Sequence, residues 1–308
     1  MIELHDLTKR YGRRTAVDGL SCTVRPGHVT GFLGPNGAGK TTTLRMILGL
    51  DAPTRGTATV GGVPFRSHRR GLRHVGALLD ANHVHGGRSA RAHLSALARS
   101  NGLPPRRVDE VLGEVGLTEV ARQRVGGFSL GMKQRLGIAT ALLGDPPVLL
   151  FDEPINGMDP EGVLWVRHLF RRLAAQGRTV FLSSHLMTEM ENTADELVVI
   201  GRGRLVAAEP LADFAARSGR RSVLVRTPRA AELGAVLGAA GARVEPAGTD
   251  ESGVHTLTVT GLLAEQIGTL AFDHRIVLHE LATRTASLED AFMELTADRV
   301  EYLAGQPR

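Results

Sequence analysis

The chain has 308 residues, 42% of them hydrophobic, and no run approaches the roughly 18 consecutive apolar residues that a membrane-crossing helix needs. Its formal net charge of +5 admits a polyanionic partner, but lysine is confined to Lys9, Lys40 and Lys133. The one dense basic cluster, Arg66, Arg69, Arg70 and Arg73, reads as a solvated face or a surface near anionic lipid, so no nucleic acid partner is expected.

Taken in chain order, residues 2 to about 27 alternate like antiparallel strands. Cys22 falls in that alternation beside Leu20 and Val24, so it reads as a buried small hydrophobe, and as the single cysteine it cannot form an internal disulfide. Met1 to Asp6 carries no basic-then-apolar leader, and a cytosolic location is expected. His28 to Leu33 predicts a short strand, and Lys40 to Leu50 a helix with Leu44, Ile47 and Leu48 facing inward. Further strands end near Asp80. His83-Val84-His85 reads as a strand-like pair whose imidazoles point to opposite faces, and zinc is not expected. From Arg88 to Leu143 the pattern is helical, with helices over Ala90 to Arg99 and Arg107 to Val115. Strands over Val148 to Phe151, Thr179 to Leu182 and Leu197 to Ile200 then alternate with a helix over Val163 to Ala175, the pattern of a parallel sheet. Gly201-Arg202-Gly203 predicts a hairpin turn.

Past about Ser218 the order of expected elements is βαββαβ, as in ferredoxin-like domains. Its parts are a strand Ser222 to Arg226, a helix Ala230 to Ala240, strands Arg243 to Pro246 and His255 to Thr260, a helix Leu262 to Phe272 and a strand Ile276 to Leu281. Ser287-Leu288-Glu289-Asp290 reads as the cap of a last helix reaching Thr296. No catalytic cluster falls in this part. It reads as a packing or dimerising appendage, with a regulatory ligand-binding module as the alternative.

Chemistry concentrates in three places. Gly34-Pro35-Asn36-Gly37-Ala38-Gly39-Lys40-Thr41 fits the P-loop pattern, in which backbone N–H groups face phosphates, a lysine reaches the β and γ oxygens, and a hydroxyl ligates Mg²⁺. The apolar run Val148-Leu149-Leu150-Phe151 delivers two carboxylates, Asp152 and Glu153, suited to holding Mg²⁺ and poising a water. Ser129 and Gly131, at the start of a helix, offer a hydroxyl, backbone N–H groups and the positive end of a helix dipole. Two phosphate sites in one chain suggest two molecules sharing nucleotide.

Together these motifs resemble the ATP-binding subunit of ABC transporters over roughly the first two-thirds of the chain. The resemblance implies a P-loop NTPase core with an antiparallel β subdomain and an inserted helical subdomain, an ABC nucleotide-binding domain over 1–217 (helical part about 85–145) and an accessory domain over 218–308. It implies that Gly34, Pro35, Asn36, Gly37, Ala38, Gly39, Lys40, Thr41 and Thr42 hold ATP, that Asp152 with Thr41 serves Mg²⁺, and that Glu153 is general base or water-positioner. Ser129 and Gly131 fall in the signature motif, which contacts the γ-phosphate of ATP on the opposite subunit. Asn156-Gly157-Met158-Asp159 resembles the D-loop, with Asp159 at the shared interface, His185 resembles the switch histidine, and Tyr11 sits where an aromatic ring meets adenine.

Two departures from the family pattern stand out. Phe128, Leu130 and Met132 replace members of the commonest signature, Leu-Ser-Gly-Gly-Gln. Asp80, a carboxylate that cannot donate a hydrogen bond when ionised, occupies the place of a glutamine that touches Mg²⁺ and the attacking water, with Asn82 as a substitute. Both departures resemble the bacitracin- and daunorubicin-resistance type of exporter ATPase. The function so implied is an ATP-hydrolysing homodimer that powers a separate membrane permease from the inner face of the membrane, exporting an antibiotic, peptide or other small hydrophobic compound. An ABC-type ATPase acting on DNA or ribosomes is the alternative, set back by the lone P-loop and the lack of sustained heptads.

Overall fold

The computed structural model describes residues 1–218, 221–249, 254–285, 288, 289, 292 and 293. Chain contacts divide it into two compact units, one of Met1–Ala212 and one of Asp213–Met293.

In the first unit, β1 (Ile2–Tyr11), β2 (Arg14–Val24), β3 (Val29–Leu33), α1 (Lys40–Ile47), β4 (Arg55–Val60) and β5 (Val75–Leu78) come first. They are followed by α2 (Ala90–Ser100), α3 (Arg106–Glu114), α4 (Leu130–Leu142), β6 (Val148–Asp152), α5 (Pro160–Ala175), β7 (Thr179–Ser184), α6 (Met187–Glu191), β8 (Glu196–Gly201) and β9 (Arg204–Pro210). A further helix, α7 (Leu211–Ser218), begins at the boundary with the second unit. Two sheets form. β2-β1-β4 is antiparallel. The larger sheet runs β5-β6-β7-β3-β8-β9, parallel except for its last pair. Strands β3 and β7 are buried at every position, so neither shows the apolar–polar alternation of a half-exposed strand. Phe32 and Phe181 form a tilted ring pair with centroids 5.0 Å apart, in a core shared with Leu44, Ile47 and residues of the antiparallel sheet such as Leu4 and Leu20.

Helix starts follow side-chain chemistry. Ser89 caps α2 by accepting from the Ala92 N–H at 3.2 Å, and Asp159 caps α5 by accepting from Gly162 at 2.8 Å, with Pro160 opening the helix. Helices α2, α3 and α4 pack on one another, and α4 packs on β5.

The second unit contains β10 (Arg221–Thr227), α8 (Ala230–Ala239), β11 (Arg243–Thr249), β12 (His255–Thr260), α9 (Ala264–Asp273) and β13 (Glu280–Thr285). The antiparallel sheet order β11-β12-β10-β13 is the ferredoxin-like arrangement of a βαββαβ chain. Val223, Val225, Leu233, Leu237, Leu257, Val259, Ile267 and Ala271 form its own core.

Three expectations are corrected. The helix expected to reach Leu50 stops at Ile47, because Gly49 turns left-handed at φ +62° and leaves Leu50 exposed. His83-Val84-His85 lies in a loop rather than a strand. The strand expected over Ile276 to Leu281 begins only at Glu280: Ile276 is buried from a loop, where its apolar character mimics strand alternation. Most of the helix expected to run to Thr296, with its cap, lies outside the described residues.

Candidate nucleotide site

Because β5, β6, β7 and β3 run parallel and side by side, their carboxyl ends lie along one edge, where open α/β sheets bind ligands. From β3 the chain enters Gly34 to Gly39 and then α1. Gly39 takes φ +104°, and a Cβ there would come within 2.4 Å of the Ala16 carbonyl, so the turn into the helix requires glycine. Lys40 is buried. Its ammonium donates to Gly34 O at 2.6 Å and Pro35 O at 3.3 Å, and it lies 3.9 Å from Glu153 Oε1. Burial pulls its pKa below the usual lysine value, against the opposing pull of Glu153 and Asp152.

From β6 the chain presents the two carboxylates. Thr41 Oγ1 donates to Asp152 Oδ2 at 2.6 Å, bringing a hydroxyl and a carboxylate to one point although 111 residues separate them. Asp152 Oδ1 accepts from the Ser183 hydroxyl, and that same Ser183 Oγ accepts from the Glu153 N–H at 3.1 Å. Glu153 has a left-handed backbone, φ +48°, uncommon for a residue with a side chain. His185 Nδ1 stands 3.1 Å from Glu153 Oε1. Lys40, Thr41, Asp152, Glu153 and His185 are therefore gathered into one cluster.

Hard oxygen donors, one neutral and one anionic, suit Mg²⁺, which takes few protein ligands and completes its shell with phosphate and water. The Thr41 and Asp152 pair fits that demand. Among the described residues no group of three or more His, Cys, Asp or Glu forms a metal cage.

The other expected residues lie in distinct settings. Tyr11 is 48% exposed. Its hydroxyl donates at 2.9 Å to Asp51, which Arg45 of α1 grips at 2.8 and 3.3 Å. Partial burial and Asp51 hold the Tyr11 pKa above its usual value, with an opposing hydrogen bond from Thr42. Lys9 Nζ stands 5.0 Å from the ring centroid, so one face of the ring carries a cation. Ser129 caps α4 by accepting from the Met132 N–H at 3.2 Å, and Gly131 is the second residue of that helix. Leu130 crowds the next loop so closely that a Cβ on Gly157 would fall 2.1 Å from its Cδ2. Asp80, just past β5, accepts from the Asn82 N–H at 2.8 Å and pairs with His83 at 3.2 Å, while the Asn82 side-chain Oδ1 accepts from Lys133 Nζ at 3.3 Å. Ser183 is the site residue that the sequence did not single out, and Asn156 entered only as the first member of the D-loop-like segment. A serine near the end of an apolar strand, two residues before a histidine, was the only signal for Ser183.

A P-loop, a two-carboxylate strand end and a helix-capping serine on one parallel sheet define a P-loop nucleotide hydrolase. Residues 17–156 match the family described as ABC transporter, and residues 221–289 match a domain of unknown function (DUF8746). The ABC transporter ATP-binding protein YhcH of Bacillus subtilis, itself uncharacterized, is 34% identical over 98% of this chain and 97% of its own length. The Nod factor export ATP-binding protein I of Ralstonia nicotianae is 37% identical over 96% and 94%. The bacitracin transport ATP-binding protein BcrA of Bacillus licheniformis is 43% identical over 68% of this chain and 70% of that protein. Among solved structures, an ATP-binding subunit of an ABC transporter superimposes with a TM-score of 0.65 at 28% identity, covering 70% of this chain and 92% of that one. The chain belongs to the ATP-binding proteins of ABC transporters. It is an ATPase subunit, and its ATP turnover powers a transporter. Among the described residues, no helix is long and apolar enough to cross a membrane.

Proposed function

We propose that this subunit works as a homodimer on a separate ABC-type permease at the inner face of the membrane, and that the cargo is an exported antibiotic, peptide or other small hydrophobic compound. Relatives named for bacitracin, lantibiotic and Nod factor transport support the exporter reading. In it, residues 1–217 are the nucleotide-binding domain, with helices of about 85–145 as its helical part, and 218–308 are an accessory domain.

The residues take the following roles. Gly34 to Gly39 wrap the phosphates with backbone N–H groups, Lys40 neutralises the β and γ oxygens, and Thr42 and Tyr11 border the nucleotide, Tyr11 against adenine. Thr41 and Asp152 hold Mg²⁺, which neutralises developing phosphate charge when bound. Asp80 lines the same sheet edge as a further candidate ligand. Glu153 orients the attacking water, and His185, beside it, stabilises charge on the γ-phosphate. Ser129 and Gly131 close over the ATP of the other subunit, with Asp159 at the shared interface. Positioning and electrostatics supply nearly all the catalysis in such a transfer.

The observation that carries this reading is the single cluster in which Thr41 meets Asp152 and Glu153 meets both Lys40 and His185. The test is Glu153→Gln: turnover is expected to collapse while an ATP-dependent dimer accumulates, scored by sedimentation with and without Mg·ATP. Undiminished turnover, or a chain that stays monomeric with ATP, overturns it.

A further inference from the structure

The two oxygens of the Glu153 carboxylate have different neighbours. Oε1 faces His185 Nδ1 at 3.1 Å and Lys40 Nζ at 3.9 Å, while Oε2 accepts a hydrogen bond from the Asn156 side-chain amide. Asn156 is itself braced: its backbone carbonyl accepts from Gln134 Nε2 at 3.2 Å. Gln134 is buried on α4, the helix capped by Ser129, and its Oε1 has no hydrogen-bond partner among the described residues.

We propose that Asn156 is a positioning residue for Glu153, and that Gln134 braces it, so that the helix carrying Ser129 and Gly131 sets the orientation of the carboxylate in its own subunit. The inference rests on the reading of Glu153 as the water-orienting group. Lys40 and His185 are cations or potential cations with a phosphate to serve, so their hold on Oε1 is shared with the nucleotide. Asn156 has a neutral amide and is bound to Oε2 alone. It fixes the plane of the carboxylate without neutralising it, and a carboxylate oxygen with two lone pairs keeps one for water. The left-handed backbone of Glu153 gives the side chain a fixed root, held at its N–H by Ser183. Asn156 is then the group that fixes its far end. A side chain misplaced by about 1 Å can lower a rate by about 100-fold.

The test uses the full chain, with Mg·ATP turnover and nucleotide affinity measured separately. Asn156→Asp keeps the shape of the side chain and loses the donor, and Asn156→Leu loses both polar atoms. Each is expected to lower kcat by roughly 10- to 100-fold with ATP affinity and melting temperature unchanged. Asn156→Gln keeps an amide donor and is expected to recover most of the rate. Gln134→Met should slow turnover by a smaller factor, and should add nothing in an Asn156→Leu background, because its influence passes through Asn156. Turnover within about twofold of the parent in both the Asp and Leu variants overturns the proposal, as does a rate loss matched by loss of ATP affinity. Glu153→Gln separates the two readings: if it abolishes turnover while the Asn156 series is silent, only the positioning role falls.

Discussion

The two units solve the same packing problem with opposite consequences for chemistry. In the first, neighbouring strands β5, β6, β7 and β3 run parallel, so each delivers its following loop to the same edge, and Asp80, Asp152, Glu153, His185 and the P-loop collect there. In the second, every pairing is antiparallel, so adjacent strands end at opposite edges and loop side chains are divided between them. Burial follows the same division. The first unit buries Lys40, Thr43, Gln134, Ser183 and Ser184, while Thr227 is the buried polar side chain of the second among the described residues. Charged groups of the second unit pair at its surface, as in Arg229 with Glu232 and Arg243 with Glu245. Buried polar groups are costly unless bonded; of those in the first unit, Lys40 and Ser183 belong to the phosphate site, where both are hydrogen-bonded.

The sharpest way to break this comparison is to remove one carboxylate from each unit. Glu153→Gln should lower kcat by about 100-fold or more, the usual worth of a positioned base, whereas Glu245→Gln should leave steady-state ATP turnover within about twofold. A comparable loss from Glu245→Gln would mean that the second unit takes part in hydrolysis. The next largest effect concerns packing. Leu237 is fully buried in the second core, and Leu237→Ala should cost about 2–5 kcal/mol of that unit's stability by denaturant titration, with ATP affinity unmoved. Smaller again, Lys40→Ala should erase the stabilisation that ATP confers on the first unit, about 2.7 kcal/mol at a ligand concentration 100 times Kd, read as a lost shift in melting temperature.

The same contrast explains what the sequence disclosed. The P-loop was legible because its glycines, lysine and threonine are consecutive, and Asp152-Glu153 because an apolar run ends on them. The contacts of Ser183 and Asn156 were not, since each acts through a partner set by folding: Ser183 touches Asp152 across 31 residues, and Asn156 is tied to Gln134 across 22. Serine and asparagine are ordinary in strands and turns, so neither stands out without its partner. In the second unit the helix and strand order was legible from apolar periodicity, but β13 was misplaced by four residues, because Ile276 supports the core from a loop. The Leu130 departure was legible as an irregularity, though its seat over Gly157 was not.

The smallest expected effect extends the comparison inside the first unit, whose antiparallel sheet, apart from Tyr11 at the end of β1, should behave like the second unit and hold inert groups. Cys22 of β2 packs against the core, and burial pushes its thiol pKa up from 9.0 to about 12. The folded state therefore keeps the proton that the unfolded state gives up above pH 9.0. Stability from this group is fully present below the unfolded pKa and is lost as pH rises from 9.0 toward 12. At pH 10 the unfolded thiol is one unit past its pKa, which lowers stability by about 1.4 kcal/mol relative to pH 8. Cys22→Ala should abolish that increment, so the difference between parent and variant in urea titrations at pH 8 and pH 10 isolates it from every other titrating group. Native Cys22 should also resist alkylation at pH 9, where an open thiol is half ionised, and react at once in denaturant. Rapid alkylation of the folded chain at that pH would place Cys22 in an open, ionising setting, and the antiparallel sheet could then no longer be grouped with the chemically silent unit.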